Sequence, residues 1–244
     1  MGQVLAVISG KGGTGKTTLS AGIAACLAAE GRRVLAIDLD IGLRNLDISL
    51  GMAECAPLSF GELLSGDYRP EQITVHPEIP NLYLLTAPTD RAPEDIDPAA
   101  FAEMIRQLRQ RFDWCVLDAP AGIGAGFRLA ARAADRVVVV ANADPASLRD
   151  AGAAAGLLTQ TGAEVKLVVN RVSHKAYRKI RTTIDDIMDG VGLPLLGIVP
   201  EDFNVTLAAA RGVPLVLQSK KGAAAACLHI ARRLEGRKMP LLRL

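Results

Sequence analysis

Apolar runs and amphipathic stretches alternate along almost the whole chain. Seven runs have the length and composition of buried strands, and the segments between them repeat apolar residues at helical spacing. The predicted strands are residues 4–8, 33–38, 82–86, 114–118, 136–141, 164–170 and 195–199. The main predicted helices are residues 17–30, 58–64, 99–112, 146–158, 175–189 and 204–210. This alternation predicts an α/β fold with a mostly parallel, twisted β-sheet and helices on both faces.

The turn after the first predicted strand carries the most specific motif in the chain. It fits the pattern G-x-x-x-x-G-K-[ST] and leads into an alanine-rich helix, which is the context that a phosphate-binding loop requires. Its residues are Gly10, Lys11, Gly12, Gly13, Thr14, Gly15, Lys16 and Thr17. The glycines let consecutive N–H groups turn toward phosphate oxygens, and the positive end of the helix adds to the attraction. Lys16 would contact the β and γ phosphates and the Thr17 hydroxyl would ligate Mg²⁺, so the motif predicts a P-loop NTPase. At 244 residues we expect it to form a single domain.

Acidic residues follow two of the predicted strands. Asp38 and Asp40 end the second strand, and their spacing of two places both on one side of an extended chain, facing the phosphates or the metal. Capping of a following helix is the alternative role for this pair. Asp118 ends the strand 114–118 and is followed by small residues that suit a loop close to the γ phosphate. This position predicts the Walker B aspartate, which reaches Mg²⁺ directly or through water.

Asn170 and Arg171 end another predicted strand at the same edge of the sheet. An amide at that edge presents both a donor and an acceptor, which suits the N6 and N7 atoms of adenine. A turn-forming asparagine is the alternative.

Composition excludes several classes of protein. The 244 residues include 28 basic and 26 acidic side chains, a net charge of +2, so the whole molecule has no strong field for nucleic acid. The four cysteines, Cys26, Cys55, Cys115 and Cys227, show neither C-x-x-C spacing nor a neighbouring histidine, which argues against a zinc site and a disulfide framework. The three histidines are isolated and are expected to be surface or packing residues: His76, His174 and His229. No leader and no apolar run of membrane-spanning length is evident, so we expect a cytoplasmic protein whose membrane contact, if any, is peripheral.

Five segments together resemble the deviant Walker A ATPases, the ParA–MinD family of P-loop proteins. They are residues 11–18, with Lys11 as the extra lysine and Thr18 as the last residue, and residues 38–47, 118–123, 147–150 and 197–202. The long segment 38–47 is most similar to the septum-site-determining members of that family. The resemblance implies an ATPase that hydrolyses ATP to ADP and phosphate with Mg²⁺ and places the division septum by ATP-dependent dimerisation.

The resemblance also implies residue roles. Lys11 would reach across the dimer to the partner's phosphates and neutralise two facing nucleotides. Asp40 would position the attacking water, and Asp38 would help to hold the metal sphere. Around adenine we expect Asn170, Arg171, Pro200, Glu201 and Asp202. Hydrolysis would then remove the phosphate that the switch loops grip, and the homodimer would separate.

The partners implied by the resemblance are a division inhibitor and an ATPase-stimulating protein of the MinC/MinE type, together with an anionic membrane surface. Residues 1–236 would form the ATPase domain. Residues 237–244 would form a short basic and leucine-containing tail, either a truncated membrane anchor that acts through avidity in the dimer or a plain packed end. Pro240 limits this tail to a turn or so of helix.

Other functions remain as alternatives. A partition-type ATPase of the same family would bind DNA without sequence preference, and its basic surface would be Lys175, Arg178, Lys179 and Arg181. A flagellar-number regulator usually carries an extension before the phosphate loop. Metabolic ligases and iron–sulfur reductases share the fold, but no C-x-x-C marks a cluster in this chain.

Overall fold

A computed structural model describes residues 1–173 and 183–242. The strands are β1 (Gln3–Ile8), β2 (Val34–Asp38), β3 (Thr74–Val75), β4 (Leu82–Leu85), β5 (Trp114–Asp118), β6 (Arg136–Asn142), β7 (Glu164–Val172) and β8 (Leu195–Pro200). The helices are α1 (Lys16–Ala29), α2 (Leu46–Ser49), α3 (Phe60–Ser65), α4 (Pro98–Leu108), α5 (Ala125–Ala133), α6 (Pro145–Leu158), α7 (Ile184–Val191), α8 (Phe203–Arg211), α9 (Leu215–Gln218) and α10 (Gly222–Leu234).

All eight strands form one sheet in the order β3-β4-β2-β5-β1-β6-β7-β8. Every neighbouring pair is parallel except β3 with β4, which is antiparallel. The central strands are apolar and buried along their length, as parallel strands covered on both faces must be. The predicted α/β class and the mostly parallel sheet are therefore confirmed.

Two separate apolar cores lie on the two faces of the sheet. One contains the buried faces of α3 to α7. The other contains α1, α2, α8, α9 and α10. Alanine and glycine let α1 and α10 pack closely, since a Cβ added to Gly22 would lie 2.5 Å from Cys227 Sγ. Both cores end at the same sheet edge, where the carboxyl ends of the parallel strands gather the candidate site.

Several elements differ from the sequence prediction. The helix expected at residues 99–112 ends at Leu108, because the chain turns there and the Phe112 ring packs edge-on against Tyr83, with ring centroids 5.1 Å apart. The surface connection expected at residues 70–80 contains the short strand β3. Helices α2, α5 and α9 were not predicted. Of the helix expected at residues 175–189, residues 175–182 lie outside the described residues, and α7 begins at Ile184.

Candidate functional site

The phosphate loop connects β1 to α1 at the centre of the sheet edge, as its sequence predicts. Gly15 has φ +88°, a conformation that side chains rarely adopt. A Cβ at Gly15 would lie 2.3 Å from Asn170 Nδ2, and one at Gly10 would lie 2.2 Å from the Asp150 carbonyl oxygen. Close approach of neighbouring elements therefore excludes a side chain at both positions, and the positive φ adds a second reason at Gly15.

Lys16 is the basic group at the floor of the site. It begins α1 and is buried, with 8% of its surface exposed. Burial lowers the pKa of its ammonium group, while the carboxylates of Asp118 and Asp40 act to raise it. A lysine held in this way is poised to contact an anion that enters from the open side of the loop.

Asp118 lies beside Lys16 and is 1% exposed. Ser20 Oγ donates a hydrogen bond of 2.8 Å to Asp118 Oδ1, and the nearby Thr17 hydroxyl acts to lower the pKa of this carboxyl group. Burial, followed by repulsion from Asp38, raises the pKa of Asp118 to about 7. In the parallel register Asp38 and Asp118 are Cα partners, so their carboxylates lie side by side on the same face of the sheet. This pair, with Thr17, provides the hard oxygen ligands that suit Mg²⁺.

Asp38 shapes the loop that follows β2. Its Oδ1 accepts an N–H bond of 2.8 Å from Asp40, and its Oδ2 accepts bonds of 3.0 Å from Asn45 and from Leu46. The bond from Leu46 satisfies the first N–H of α2, which is close to the capping role that the sequence left open for Asp38. Metal contact by Asp38 stays a prediction, since both of its oxygens already accept backbone N–H bonds and retain only their remaining lone pairs.

Asp40 lies on the open side of the same loop. Partial burial raises the pKa of its carboxyl group, and the charge of Lys16 opposes that rise. No base with a shifted pKa could be identified from the sequence, so the raised pKa of Asp40 results from the fold. Asp40 remains the predicted residue for orienting water.

Lys11 points away from the floor of the site. Its ammonium group lies 3.6 Å from Asp144 Oδ1, and both side chains are almost half exposed. Asp144 also accepts an N–H bond from Ser147 and so caps α6. The two lysines of the loop therefore occupy different environments: Lys16 is buried and Lys11 is accessible.

Asn170 hydrogen-bonds to the phosphate loop and also lines the cavity beside it, which we call the base pocket. Its Nδ2 donates a 2.7 Å bond to the Thr14 carbonyl, and its Oδ1 accepts a 2.9 Å bond from the Arg171 N–H. Arg171 has φ +53°, which places it in a bulge near the end of β7. One Nδ2 hydrogen and an Oδ1 lone pair remain available, and contact of Asn170 with adenine stays a prediction.

A cavity of about 290 Å³ adjoins the loop and has the size and lining of a nucleobase pocket. The predicted residues Gly15, Thr18, Asn170, Arg171, Pro200, Glu201 and Asp202 all line it. Sequence reasoning missed Val199, Val205, Thr206, Leu215, Ala223 and Cys227, which form much of the remaining wall. Asp202 accepts N–H bonds of 2.9 Å from Asn204 and Ala223, so it joins the β8 turn to α10.

Two observations test whether the loop suits a magnesium nucleotide. Thr14 Oγ1 is buried without a hydrogen-bond partner among the described residues, and a phosphate oxygen would satisfy it. Within residues 1–173 and 183–242 no three His, Cys, Asp or Glu side chains cluster as a metal site. Mg²⁺ needs no such cluster in a P-loop, because it retains waters and takes most other ligands from the phosphates. The residues present therefore fit Mg²⁺ bound together with a nucleotide.

The remaining candidate residues have structural surroundings. His76 is buried and its Nε2 lies 2.7 Å from the Leu50 carbonyl, while His229 lies against the tail. The four cysteines are free, and all but Cys55 are buried. His174 lies outside the described residues, as do the four basic residues of the DNA-binding alternative, Lys175, Arg178, Lys179 and Arg181.

The tail folds back along α10 as far as it is described, to residue 242. Arg237 donates a 2.6 Å bond to Glu30, Arg233 donates a 2.7 Å bond to the Met239 carbonyl, and His229 Nδ1 lies 3.1 Å from the Pro240 carbonyl. Residues 243–244 lie outside the description. In the described part of the chain no helix is long and apolar enough to cross a bilayer.

Known proteins resemble this chain over nearly its full length. The CobQ/CobB/MinD/ParA nucleotide binding domain matches residues 5–215. The septum site-determining protein MinD of Synechocystis sp. is 36% identical over 246 residues, which cover 99% of this chain and 92% of that protein. Among solved structures, the MinC:MinD cell division protein complex of Aquifex aeolicus has a TM-score of 0.90 at 35% identity, covering 99% of this chain and 98% of that one.

A second solved structure carries a nucleotide and a metal ion in its name. The septum site-determining protein MinD of Pyrococcus horikoshii OT3, complexed with Mg-ADP, has a TM-score of 0.84 at 28% identity and covers 96% of both chains. The family match extends from β1 to Leu215 and thus includes the phosphate loop, Asp38, Asp118 and most of the residues that line the cavity beside the loop. The chain therefore belongs to the CobQ/CobB/MinD/ParA family of nucleotide-binding proteins and, within it, to the septum site-determining MinD group.

Proposed function

We propose that this chain is an ATP-hydrolysing dimerisation switch that helps to place the division septum. The observation that carries the proposal is the contrast between the two lysines of the phosphate loop. Lys16 is buried between Asp118 and Asp40, whereas Lys11 is accessible and paired only with the exposed Asp144. One lysine is thus placed for the chain's own nucleotide, and the other is free to reach the nucleotide of a second copy.

Binding of the nucleotide follows from the geometry of the loop and the pocket. Backbone N–H groups of residues 10–17 and the ammonium group of Lys16 hold the phosphates, and Asn170 with the 200–202 turn holds adenine. Thr17, Asp118 and Asp38 would hold Mg²⁺, which neutralises phosphate charge when it is bound. A bound Mg²⁺ would lower the pKa of Asp118, which burial and then repulsion from Asp38 raise in the free chain.

Asp40 orients the water that attacks the γ phosphate. Its carboxyl group is partly buried next to Lys16, so it is only partly solvated. Its place beside Lys16 would keep it close to the phosphates. We infer a slow intrinsic turnover, because Asp40 orients rather than strongly activates the water. A stimulating protein of the MinE type would raise that rate by completing the site.

Dimerisation requires Lys11 to leave Asp144. The 3.6 Å contact is long and solvent-exposed, so it stabilises the free chain by less than about 1 kcal/mol. Two facing nucleotides provide a much stronger attraction for a lysine than one exposed carboxylate. Loss of the γ phosphate after hydrolysis removes part of that attraction, and the two copies then separate.

The surface next to the nucleotide carries exposed apolar residues that suit contact with another protein. Leu43, in the loop after β2, is 72% exposed, and Ile123, in the loop after β5, is 49% exposed. In our proposal both loops change conformation with the bound nucleotide. A partner that contacts them would therefore bind only one nucleotide state of the protein. The related MinD of Aquifex aeolicus forms a complex with MinC, and we infer that a division inhibitor of that type binds here.

Replacement of Lys11 tests the proposal directly. Lys11→Ala should abolish the ATP-dependent dimer in size-exclusion chromatography with light scattering, while binding of a fluorescent ATP analogue falls less than about threefold. Lys238→Ala, which removes an exposed lysine of the tail, is the matched control and should dimerise normally. A normal dimer of the Lys11→Ala variant would refute the role of Lys11 in trans.

Localisation is tested separately. We propose that the protein is cytoplasmic and that its tail gives the ATP dimer a peripheral contact with anionic membranes on the inner face of the cell membrane. Co-sedimentation with anionic liposomes, with ATP and with ADP, should show ATP-dependent pelleting of the full chain and none of a chain that ends at Gly236. Equal pelleting of the two chains would remove the tail from membrane contact. Retention on DNA instead, sensitive to salt, would favour the partition-type alternative.

A further inference from the structure

His76 is a buried histidine that the proposed mechanism does not use. It directly follows β3, and its backbone N–H donates a 2.7 Å hydrogen bond to the Leu82 carbonyl of β4. Its side chain is 4% exposed. The sheet therefore fixes the position of a polar ring whose nitrogens need partners inside the protein.

Both ring nitrogens of His76 have such partners. Nδ1 accepts 3.0 Å bonds from the backbone N–H groups of Glu78 and Ile79, which assigns the proton of the neutral ring to Nε2. Nε2 lies 2.7 Å from the Leu50 carbonyl oxygen and donates to it. The neutral imidazole thus joins the connection between β3 and β4 to Leu50.

Leu50 is the end of a segment that begins in the candidate site. Residues 38–50, which we call the switch segment, include Asp40 and the helix α2. Asp38 holds the first part of α2 through the N–H bonds that it accepts. His76 holds the other end of the segment through Leu50.

The switch segment has a conformation that depends on contacts of this kind. Gly42 has φ +103° and Arg44 has φ +44°, and the left-handed conformation costs free energy in a residue with a side chain. The Arg44 guanidinium donates a 2.7 Å bond to Thr86 Oγ1, which is a further contact to another element. Loss of one contact should therefore loosen the segment without unfolding the protein.

We propose that His76 is a positioning residue for ATP hydrolysis, which holds the end of the switch segment through Leu50 and thereby keeps Asp40 in place. This inference rests on the proposed function, because it concerns the reaction in which Asp40 orients the attacking water. Burial lowers the pKa of the imidazole below its usual value of 6.5, so the ring is neutral and its hydrogen bonds are intact at neutral pH.

Two substitutions separate the roles of the two ring nitrogens. His76→Asn places an amide oxygen near the Nδ1 position and can keep the bonds from Glu78 and Ile79, but it does not reach Leu50. His76→Gln places an amide N–H near the Nε2 position and can keep the bond to Leu50. A role limited to the turn at residues 76–79 predicts that His76→Asn is normal, whereas positioning through Leu50 predicts that His76→Gln is.

Steady-state ATP hydrolysis by the full chain with Mg²⁺ measures the effect on turnover. His76→Asn should lower kcat about fivefold, which corresponds to the about 1 kcal/mol that one hydrogen bond contributes. KM for ATP should change less than about twofold, because the phosphate loop is untouched. His76→Gln should keep kcat within about twofold of the wild type.

Hydrogen exchange of the nucleotide-free chain measures the same contact without hydrolysis. Backbone amides of residues 45–50 should exchange about fivefold faster in His76→Asn than in the wild type, and His76→Gln should resemble the wild type. A wild type that does not hydrolyse ATP would mean failure of the proposed function. The exchange rates would then still decide whether His76 holds the switch segment.

The pH dependence of kcat gives a readout that packing alone would not change. Protonated His76 has no acceptor at Nδ1, so kcat of the wild type relative to His76→Gln should fall at acid pH. Among the described residues, Glu78 is the charged group that acts on the imidazole, and its carboxylate raises the pKa. Glu78→Gln keeps every hydrogen bond of His76, so it should leave kcat at neutral pH unchanged and move the fall to lower pH. This variant tests the proposal even where substitution of His76 prevents folding.

Four results would overturn the proposal. Turnover and exchange of His76→Asn equal to those of the wild type would mean that the contact with Leu50 positions nothing. Equal losses of kcat in His76→Asn and His76→Gln would mean that the ring serves only packing. A change confined to KM would place the effect on nucleotide binding. A pH profile that Glu78→Gln leaves in place would mean that the protonation state of His76 does not affect turnover.

Discussion

Asp118→Asn should stabilise the nucleotide-free protein at neutral pH while removing its response to Mg²⁺. The Asp118 carboxyl group is buried beside Asp38, and these surroundings raise its pKa from 3.8 to about 7. Asparagine has nearly the same shape and can keep the hydrogen bond from Ser20, which is 2.8 Å long with aspartate. The substitution therefore removes a destabilised charge without opening a cavity.

The size of the effect follows from linkage between protonation and folding. One pKa unit corresponds to about 1.4 kcal/mol, so a rise from 3.8 to about 7 corresponds to about 4 kcal/mol as an upper limit. Between these two pH values the folded state binds more protons than the unfolded state, so the stability of the wild type falls as the pH rises. The gain from Asp118→Asn should be absent near pH 4 and complete above about pH 7.

Urea unfolding of both proteins in EDTA, between pH 4.5 and 8, measures this difference. The His76 imidazole, whose pKa is lowered by burial, acts in the opposite direction, but it is present in both proteins and cancels in the comparison. Asp185→Asn, at an exposed carboxylate, is the matched control and should change stability by less than about 0.5 kcal/mol. Added Mg-ADP should stabilise the wild type more than Asp118→Asn.

The reasoning would be refuted by a variant that is less stable than the wild type at pH 7.5. A difference in stability that does not change with pH would also refute it, because burial of an ionised carboxylate predicts a pH-dependent difference. Equal stabilisation of both proteins by Mg-ADP would remove Asp118 from the metal site.

Three further variants test other parts of the structure. Gly15→Ala should lower ATP affinity at least about tenfold in calorimetric titration, because the φ of +88° and the 2.3 Å approach to Asn170 Nδ2 both exclude a side chain; unchanged affinity would contradict that. Asp40→Ala should slow phosphate release and retain the ATP dimer in light scattering, whereas wild-type turnover would remove Asp40 from the mechanism. Gly197→Ala should cost about 1–3 kcal/mol in urea unfolding, since its Cβ would lie 2.6 Å from Ile230 Cγ1. Gly156→Ala is its control, because nothing lies within 4 Å of that Cβ, and it should be neutral or slightly stabilising.

Features that depend on neighbouring residues could be predicted from the sequence. The strand of residues 114–118 is the same in the sequence prediction and in the structure, and α1 starts one residue earlier than expected. Cys227, Ile230 and Leu234 recur at helical spacing in the sequence, and they form the buried stripe of α10. Apolar periodicity and glycine spacing act over a few residues, so the order of residues reveals them.

Long-range contacts account for what sequence reasoning missed. Ser20 bonds to a carboxylate 98 residues away, and Asn170 braces a carbonyl 156 residues away. The helix α5 was missed because its apolar face follows a glycine-rich loop that reads as a turn. The extra wall of the base pocket comes from β8, α8, α9 and α10, which no short motif links.

The sequence by itself determined the phosphate loop, the strand that ends in Asp118, the α/β class and the resemblance to the ParA–MinD family. The tertiary structure was needed to show that Asp38 accepts the first N–H of α2, that burial and Asp38 raise the pKa of Asp118 to about 7, and that the tail lies folded against α10. The physical reason is range. Backbone propensity and periodicity are properties of consecutive residues, whereas desolvation, ion pairing and cavity shape are set by every group that the fold brings near.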